Sequence, residues 1–290
     1  MEQQQPLDDV RARLGAVDPF PSLAAARYAE CVECFEARSD QRRQMIAFVA
    51  DQVVPTLPED RAGVLSIGCG SGAFDAPVLD AVAGRSAAVR YVGIDPNPVQ
   101  CAAFAERLGG APRDGITVEV RAGAFEATPI DEAFDLVHLT HCLYYLEAPG
   151  RAVGTALELV APGGALLVFL APNEALNALA DACWARERQG RRAWFADDLD
   201  AFLRDELRLP FERHRIDASL DAGPCFEPDD PEGDRLLDFI VQAETTRFPA
   251  TLSGAMRRYL AHIASRDAEG RPRQLPHPVD AFLIRRPRSR

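Results

Sequence analysis

The sequence has no hydrophobic run long enough to cross a membrane. A helical span needs about 18 or more consecutive apolar residues, and no run in the 290 residues approaches that length. The first residues, MEQQQPLDDVRARLG, also lack the apolar centre of a secretory signal peptide. We therefore expect a cytoplasmic protein without a membrane partner.

Basic residues are also scarce. The chain has 32 Lys and Arg against 44 Asp and Glu, which gives a net charge of −12. A surface with this balance repels the phosphates of nucleic acids and of anionic lipids. We expect neither as a partner.

The cysteines do not form a metal-binding set. There are seven, and the only C-x-x-C pair is Cys31 with Cys34. No second cysteine pair and no histidine pair completes a zinc site, and both residues lie in a helical pattern. We expect free thiols and no metal.

What the sequence does contain is an alternation of short apolar runs with helical stretches, after a long N-terminal helical pattern. This order predicts βαβ units and a largely parallel, doubly wound α/β sheet. The predicted strands lie in 63–72, 89–95, 116–123, 134–139, 164–171, 211–222 and 280–286. The main predicted helices are 23–57, 99–108, 151–159, 175–188 and 196–207, with another within 224–240.

The segment VLSIGCGSG carries the most chemical information. Gly68, Gly70 and Gly72 stand where a strand becomes a helix, so backbone N–H groups can approach a ligand without interference from side chains. Asp95 ends the next predicted strand, where a carboxylate can accept hydrogen bonds from both hydroxyls of a ribose. Together these features predict a nucleoside site.

The spacing of the glycines favours one nucleoside over another. The dinucleotide fingerprint G-x-G-x-x-G needs a third glycine where this chain has Ala73, which disfavours a nicotinamide enzyme. The G-x-G-x-G form, with FDLV at 134–137 and LVAPGGALLV at 159–168, resembles class I S-adenosylmethionine-dependent methyltransferases. The resemblance implies S-adenosyl-L-methionine as the cofactor.

The same resemblance implies further cofactor contacts. Gln100 would lie near the adenosine, although a solvated position on a helix is an equal alternative. Phe125 would border the adenine, and Thr140 would lie at the edge of the methionine part. Each residue alone is a weak signal, and their order along one sheet edge makes them a site.

Three stretches narrow the resemblance to the histamine N-methyltransferase-like family. They are RYAECVECFEARSDQRRQMIAF at 27–48, FDLVHLTHCLYYLEAP at 134–149 and CFEPDDPEGDRLLDFI at 225–240. The family implies a Rossmann-like, seven-stranded methyltransferase sheet with a smaller substrate-binding lid region.

The resemblance divides the chain into three segments. Residues 1–57 would form an N-terminal helical segment that contributes to the substrate pocket, and 58–172 the S-adenosylmethionine-binding core. Residues 173–290 would form the lid and substrate region with the final sheet strands.

The chain departs from the family at the substrate contacts. Gln41 stands where the histamine enzyme presents a carboxylate, His141 replaces its pocket glutamine, and its C-terminal asparagine falls at or near Pro278. A neutral amide loses most of a carboxylate's preference for a cationic amine. We therefore do not expect histamine itself as the substrate.

His141 is the candidate catalytic residue. An unperturbed imidazole titrates near neutrality, and His141 follows Thr140 at the expected cofactor edge; a buried structural histidine is the competing interpretation. His138, deeper in the apolar run, is favoured as structural.

Aromatic residues are candidates for the substrate wall. Tyr144 and Tyr145 could stack on an aromatic ring or orient it through a hydroxyl, with packing at the rim as the alternative. Tyr28, Phe248 and Trp194 are weaker candidates, and core packing is favoured for Trp194.

These observations predict a monomeric enzyme that methylates a small aromatic or heteroaromatic metabolite. An indole-containing specialised metabolite, including C3 methylation, is the leading hypothesis, because a neutral ring suits a pocket without the carboxylate. N-methylation of an imidazole or small amine is the alternative. A non-catalytic sensor that binds S-adenosylmethionine is the alternative of another class.

Overall fold

The computed structural model describes residues 4–18, 20–110, 113–187 and 193–288. The chain divides into two compact units. Unit 1 consists of Met1–Arg42, Pro172–Ala193 and Asp217–Pro278, and unit 2 of Arg43–Ala171, Trp194–Ile216 and Val279–Arg290. The predicted N-terminal segment 1–57 is thus shared between the units.

Helices and strands follow one another along the described residues. The α-helices are α1 (Gln4–Gly15), α2 (Ala25–Arg38), α3 (Gln41–Phe48), α4 (Asp75–Ala83), α5 (Pro98–Gly109), α6 (Pro149–Glu158), α7 (Ala175–Glu187), α8 (Ala196–Ala201), α9 (Pro231–Val241) and α10 (Ala250–Ile263). The strands are β1 (Arg61–Ile67), β2 (Ala88–Asp95), β3 (Ile116–Ala122), β4 (Phe134–Thr140), β5 (Val160–Leu170), β6 (Glu212–Ile216), β7 (Ser219–Asp221), β8 (Ser265–Arg266), β9 (Pro272–Pro276) and β10 (Val279–Arg285). In this part of the chain, no helix combines the length and the apolar character that a bilayer span requires.

Unit 2 is built on a seven-stranded sheet with the order β3-β2-β1-β4-β5-β10-β6. The first five of these strands are parallel to one another, and β10 pairs antiparallel with both β5 and β6. The strand order reverses between β1 and β4, the kind of position where open α/β sheets bind ligands. The sheet confirms the predicted doubly wound α/β fold and its number of strands.

Alternating apolar residues bury both faces of this sheet. In β5, Leu167 and Phe169 pack with Met45, Val78 and other residues of the helices on one face. Leu166 and Val168 pack on the opposite face with residues of α6 and α8. Strands covered on both sides read as the continuous apolar runs that identified them in the sequence.

Two of the predicted elements are wrong in detail. The single strand predicted at 211–222 is split into β6 and β7, which belong to different sheets. The helix predicted at 23–57 is interrupted at Ser39, whose backbone is extended and whose hydroxyl accepts a hydrogen bond from the Gln41 N–H. Ser39 is thus the C-cap of α2, and α3 begins two residues later at Gln41. The end of the predicted helix 175–188, Arg188, lies outside the described residues.

Unit 1 combines the helices α1, α2, α7, α9 and α10 with a small sheet of order β7-β9-β8. Its own core includes Val10, Phe35, Leu237 and Met256. The segment PDDPEG at 228–233 passes from a loop into α9. Asp230 caps this helix by accepting a hydrogen bond from the Glu232 N–H at 2.8 Å. The sequence analysis predicted neither α1 nor α10.

A buried carboxylate ties α2 to α9 in unit 1. Asp238 is 1 % exposed and accepts hydrogen bonds from Arg27 Nε at 3.0 Å and Nη2 at 2.6 Å. Its other oxygen accepts from the Thr245 N–H and hydroxyl, both at 2.7 Å. The bond to Asp238 raises the pKa of Arg27, so the guanidinium is charged at neutral pH.

We predict that Asp238→Ala lowers the free energy of unfolding of unit 1 by about 2 kcal/mol, because it removes two hydrogen bonds from the Arg27 guanidinium and leaves the buried Thr245 N–H without its acceptor. Glu30→Ala is the matched control, since Glu30 bonds the same arginine at 3.3 Å but its side chain is 59 % exposed; it should cost about 0.5 kcal/mol or less. The measurement is urea unfolding followed by Trp184 fluorescence in a Trp194→Phe background. Equal effects of the two substitutions would contradict the account.

Candidate functional site

Three strands of unit 2 end at the same level. Ile67 of β1 pairs with Ile94 of β2 and with Leu139 of β4. The next residues along these strands, Gly68, Asp95 and Thr140, therefore lie side by side at the carboxyl edge of the sheet. The register therefore brings three of the predicted cofactor residues to one edge of the sheet.

The glycine turn depends on backbone conformations that favour glycine. Gly68, Gly70 and Gly72 have φ angles of +70°, +53° and +73°. A Cβ atom on Gly68 would lie 2.6 Å from the Cβ of Cys142, whereas a Cβ on Gly70 would meet nothing within 4 Å. The first glycine therefore permits close packing, and Gly70 borders open space that a ligand can fill.

Asp95 is held in place by this turn. Its Oδ2 accepts a hydrogen bond from the Gly70 N–H at 3.0 Å, and its Oδ1 accepts from the Asn97 N–H at 2.8 Å. Each carboxylate oxygen retains capacity for a further bond. The carboxylate is therefore oriented and still able to accept from two ligand hydroxyls.

The sequence analysis missed the residue that holds the turn from outside. Arg107, in the last turn of α5, donates from Nη1 to the Ser71 carbonyl at 2.6 Å and to its hydroxyl at 2.8 Å. Nothing local in the sequence marks this arginine, because the contact joins residues 36 positions apart.

Thiols close the back of the turn. Cys101 donates to the Asp95 carbonyl and Cys142 to the Ile67 carbonyl, both at 3.3 Å. Burial raises the pKa of Cys142 to about 12 and also raises that of Cys101. Both thiols are therefore protonated donors at neutral pH.

The described residues contain no group of three or more His, Cys, Asp or Glu arranged to hold a metal ion.

The predicted adenosine contacts lie on neighbouring segments. Phe125 is 6 % exposed in a short 3-10 helix, Phe125–Ala127, that follows β3. Gln100 is half-buried in the first turn of α5. Asn97 caps this helix, because its side-chain oxygen accepts from the Val99 N–H at 2.9 Å. Their contacts with a cofactor remain predictions.

His141 has an unusual backbone. Its φ is +50°, a left-handed conformation that is uncommon outside glycine and that clusters at functional sites. Its N–H donates to the Phe169 carbonyl at 3.0 Å, which continues the pairing of β4 with β5. Its Nδ1 lies 3.0 Å from the Tyr144 hydroxyl, and the two rings are nearly parallel.

The two tyrosines differ in environment. The Tyr144 hydroxyl accepts a hydrogen bond from the Ala171 N–H at 2.7 Å, its ring packs near Phe195, and burial raises its pKa. Tyr145 is 66 % exposed. Tyr144 is thus part of the support of His141, and Tyr145 lies at the surface.

Beneath Thr140 lies His138, which is 1 % exposed. Its Nδ1 is 3.3 Å from the Thr140 Oγ1.

Trp194 is half-buried in unit 2, where its ring packs against Phe202 with centroids 5.2 Å apart.

The remaining predicted substrate residues belong to unit 1. Tyr28 packs against Phe239 with ring centroids 5.9 Å apart, and burial raises its pKa. Phe248 stacks on Phe20 at 3.8 Å. Their roles toward a substrate remain predictions, as does the lid role of 173–290.

Gln41 and Pro278 are the two positions of unit 1 at which the resemblance implies changed substrate contacts, and they are hydrogen-bonded to each other. Gln41 is 5 % exposed, and its Nε2 donates to the His277 carbonyl at 2.8 Å and the Pro278 carbonyl at 3.4 Å. His277, which the sequence analysis did not single out, also places Nδ1 2.8 Å from the Ser39 hydroxyl.

Comparison with known proteins identifies the family. A family model described as a methyltransferase domain matches residues 38–208, more than half of the chain. Histamine N-methyltransferase of Danio rerio is 23 % identical over 280 residues, which cover 87 % of this chain and 94 % of that protein. Histamine N-methyltransferase B of Xenopus laevis is 23 % identical over 242 residues, covering 75 % and 80 %.

Solved structures agree on the fold. The YcgJ protein of Bacillus subtilis has a TM-score of 0.53 at 14 % identity, covering 84 % of this chain and 100 % of that one. The plantazolicin methyltransferase BpumL, solved with S-adenosylhomocysteine, has a TM-score of 0.50 at 12 % identity, covering 98 % and 99 %. With the family match, these findings confirm the predicted enzyme class and cofactor: the chain belongs to the methyltransferase domain family and is a class I S-adenosylmethionine-dependent methyltransferase.

Proposed function

We propose that the protein methylates a nitrogen of a small heteroaromatic metabolite or amine. The observation that carries this proposal is the similarity, over most of the chain, to enzymes named for the N-methylation of imidazole compounds. Besides the histamine enzymes, Carnosine N-methyltransferase 2 of Gallus gallus is 22 % identical over 270 residues. An imidazole ring with a neutral side chain is the substrate that fits this similarity and the departure at Gln41 together.

A second candidate is an indole-containing specialised metabolite, including methylation at C3. The specific observation in its favour is the environment of Gln41. Its side chain is a neutral amide whose Nε2 donates to backbone carbonyls. This position therefore offers no negative charge to a cationic amine. An uncharged ring is the better match to such a position.

The candidate cofactor site suits S-adenosylmethionine. Asp95 would accept from the ribose hydroxyls, Gly68, Gly70 and Gly72 would line the cofactor, and Thr140 would face its methionine part. Gln100 and Phe125 would border the adenosine, as the resemblance implies. The bound cofactor supplies an electrophilic methyl group, so the protein's task is mainly to position the nucleophile in line with it.

His141 is the proposed catalytic residue, and its tautomer decides what it can do. With hydrogen on Nδ1, the Tyr144 oxygen accepts that hydrogen and Nε2 has a lone pair that can take a proton from the substrate. With hydrogen on Nε2, the ring can only orient the substrate by donating. We propose that Tyr144 sets the position of His141 while Tyr145 contributes to the substrate wall.

A sensor that binds the cofactor without transferring its methyl group is the alternative of another class. The test is turnover of radiolabelled S-adenosylmethionine with a panel of imidazoles, amines and indoles. We expect labelled product from one of these groups. Tight binding of S-adenosylhomocysteine with no transfer to the panel or to small-molecule extracts would favour the sensor.

We predict that Asp95→Asn weakens the binding of S-adenosylhomocysteine about 10- to 100-fold, because an oriented charged acceptor is lost. The exposed Asp114 provides the control, and Asp114→Asn should leave the dissociation constant within about twofold, since a distant exposed substitution removes no contact. Calorimetric titration measures both. An unchanged constant in Asp95→Asn would remove Asp95 from the site.

For His141, asparagine is the informative substitution because it tolerates the left-handed backbone. If His141 removes a proton, His141→Asn lowers kcat about 100-fold and leaves the dissociation constant of S-adenosylhomocysteine and the thermal unfolding midpoint unchanged. The exposed His262 of α10 is the control, and His262→Asn should retain full activity. A fall in stability that accounts for the lost activity of His141→Asn would instead assign His141 a structural role.

A further inference from the structure

A line of buried polar side chains runs through unit 2 beneath the candidate site. Asp75 at the start of α4, Tyr91 of β2 and His138 of β4 are 2 %, 0 % and 1 % exposed. The Tyr91 hydroxyl lies 2.9 Å from Asp75 Oδ1 and 3.1 Å from His138 Nε2. His138 Nδ1 then reaches the hydroxyl of Thr140, the last residue of β4, at 3.3 Å. The proposed function assigns no role to the three buried members.

The direction of these hydrogen bonds is set at the Asp75 end. The Tyr91 hydroxyl donates its hydrogen to Asp75 Oδ1, because the carboxylate oxygen is the acceptor of this pair. The Tyr91 oxygen is then an acceptor toward His138 Nε2. The same Nε2 lies 3.4 Å from Asp75 Oδ1, so both neighbours of this nitrogen are acceptors. His138 therefore carries its hydrogen on Nε2.

The tautomer of His138 then sets the direction of its hydrogen bond with Thr140. In the neutral form of the ring, a hydrogen on Nε2 leaves only a lone pair on Nδ1, and in that form Nδ1 accepts from the Thr140 hydroxyl. The hydrogen of Thr140 is then directed into the protein, and the lone pairs of its Oγ1 are directed away from His138. Thr140 is half-buried and stands level with Gly68 and Asp95 at the carboxyl edge of the sheet.

We propose that the Thr140 oxygen is a fixed acceptor that recognises an N–H group of a small molecule bound at this edge. His138, Tyr91 and Asp75 are positioning residues that keep the hydroxyl from turning into a donor. The identity of the binding molecule rests on the proposed function. The N–H belongs either to the amino group of the methyl donor or to the substrate that receives the methyl group.

The assigned direction has a selective consequence. A ligand that presents an acceptor, such as a carbonyl or ether oxygen, would face the lone pairs of Thr140 and be disfavoured. A free hydroxyl would rotate and accommodate either ligand. The buried hydrogen bonds thus make the Thr140 hydroxyl selective for ligand groups that donate a hydrogen bond.

The tautomer of His138 tests the direction without any assay of activity. The ¹⁵N chemical shifts of the imidazole at pH 7.5 distinguish a protonated from an unprotonated ring nitrogen. We expect hydrogen on Nε2 and a free lone pair on Nδ1. Hydrogen on Nδ1, whether in the other neutral tautomer or in the imidazolium, would overturn the proposal. The resonances are assigned by their loss in His138→Asn or, if that variant does not fold, by elimination with single variants of the other four histidines.

Substitution of Thr140 tests the recognition. Thr140→Val keeps the shape and removes the acceptor, and Thr140→Ser keeps the acceptor. We expect Thr140→Val to weaken binding of the N–H ligand about tenfold and to lower the unfolding midpoint slightly, because the buried His138 Nδ1 loses its donor. Thr140→Ser should restore the midpoint and bring binding to within about twofold of the wild type.

The choice of ligands separates the two sources of the N–H. If Thr140→Val weakens S-adenosylhomocysteine but not its analogue that lacks only the α-amino group, the amino group of the methyl donor is recognised. If it leaves both unchanged and raises KM for an N–H substrate, the substrate is recognised. Unchanged values for all ligands would overturn the proposal while wild-type turnover still supports the proposed function. Absence of turnover in the wild type would instead count against the proposed function and leave the binding measurements valid.

Discussion

The hydrogen bond from the Gly70 amide to the Asp95 carboxylate joins the loops that follow β1 and β2. It forms only because β1 and β2 are in a register that ends both strands at one level, and because Gly70 adopts a positive φ. Together with the bond from the Asn97 N–H, it orients a carboxylate at the sheet edge. The geometry of the candidate cofactor site follows from this one contact and from the close approach of Gly68 to Cys142.

The chemistry proposed for this edge depends more on position than on reactive groups. The thiols near the glycine turn are kept protonated by burial, and they hold backbone carbonyls rather than act as nucleophiles. His141 is half-buried, has a left-handed backbone conformation and lies within hydrogen-bonding distance of the Tyr144 hydroxyl. Methyl transfer from a sulfonium needs alignment above all, and in the proposed function the acceptors and the imidazole at this edge would provide it.

The sequence predicts the features that are local and fails where distant contacts decide. The glycine turn and Asp95 could be found because their spacing reflects one strand–turn–helix unit and the strand after it. Arg107 could not, because its contact with Ser71 depends on how α5 packs. The run 211–222 looks like one strand because β-propensity is continuous across it, while the pairing partners of β6 and β7 differ. The polar nature of Asp75 and Tyr91 is visible in the sequence, but only the fold brings them to His138.

The most direct test of the central claim is an electron-density map of the protein with S-adenosylhomocysteine bound. The account predicts ribose hydroxyls within hydrogen-bonding distance of the Asp95 carboxylate, and the sulfur at the carboxyl edge of β4 with Thr140 and His141 beside it. Density for the ligand elsewhere in the molecule, or a ribose turned away from Asp95, would contradict it.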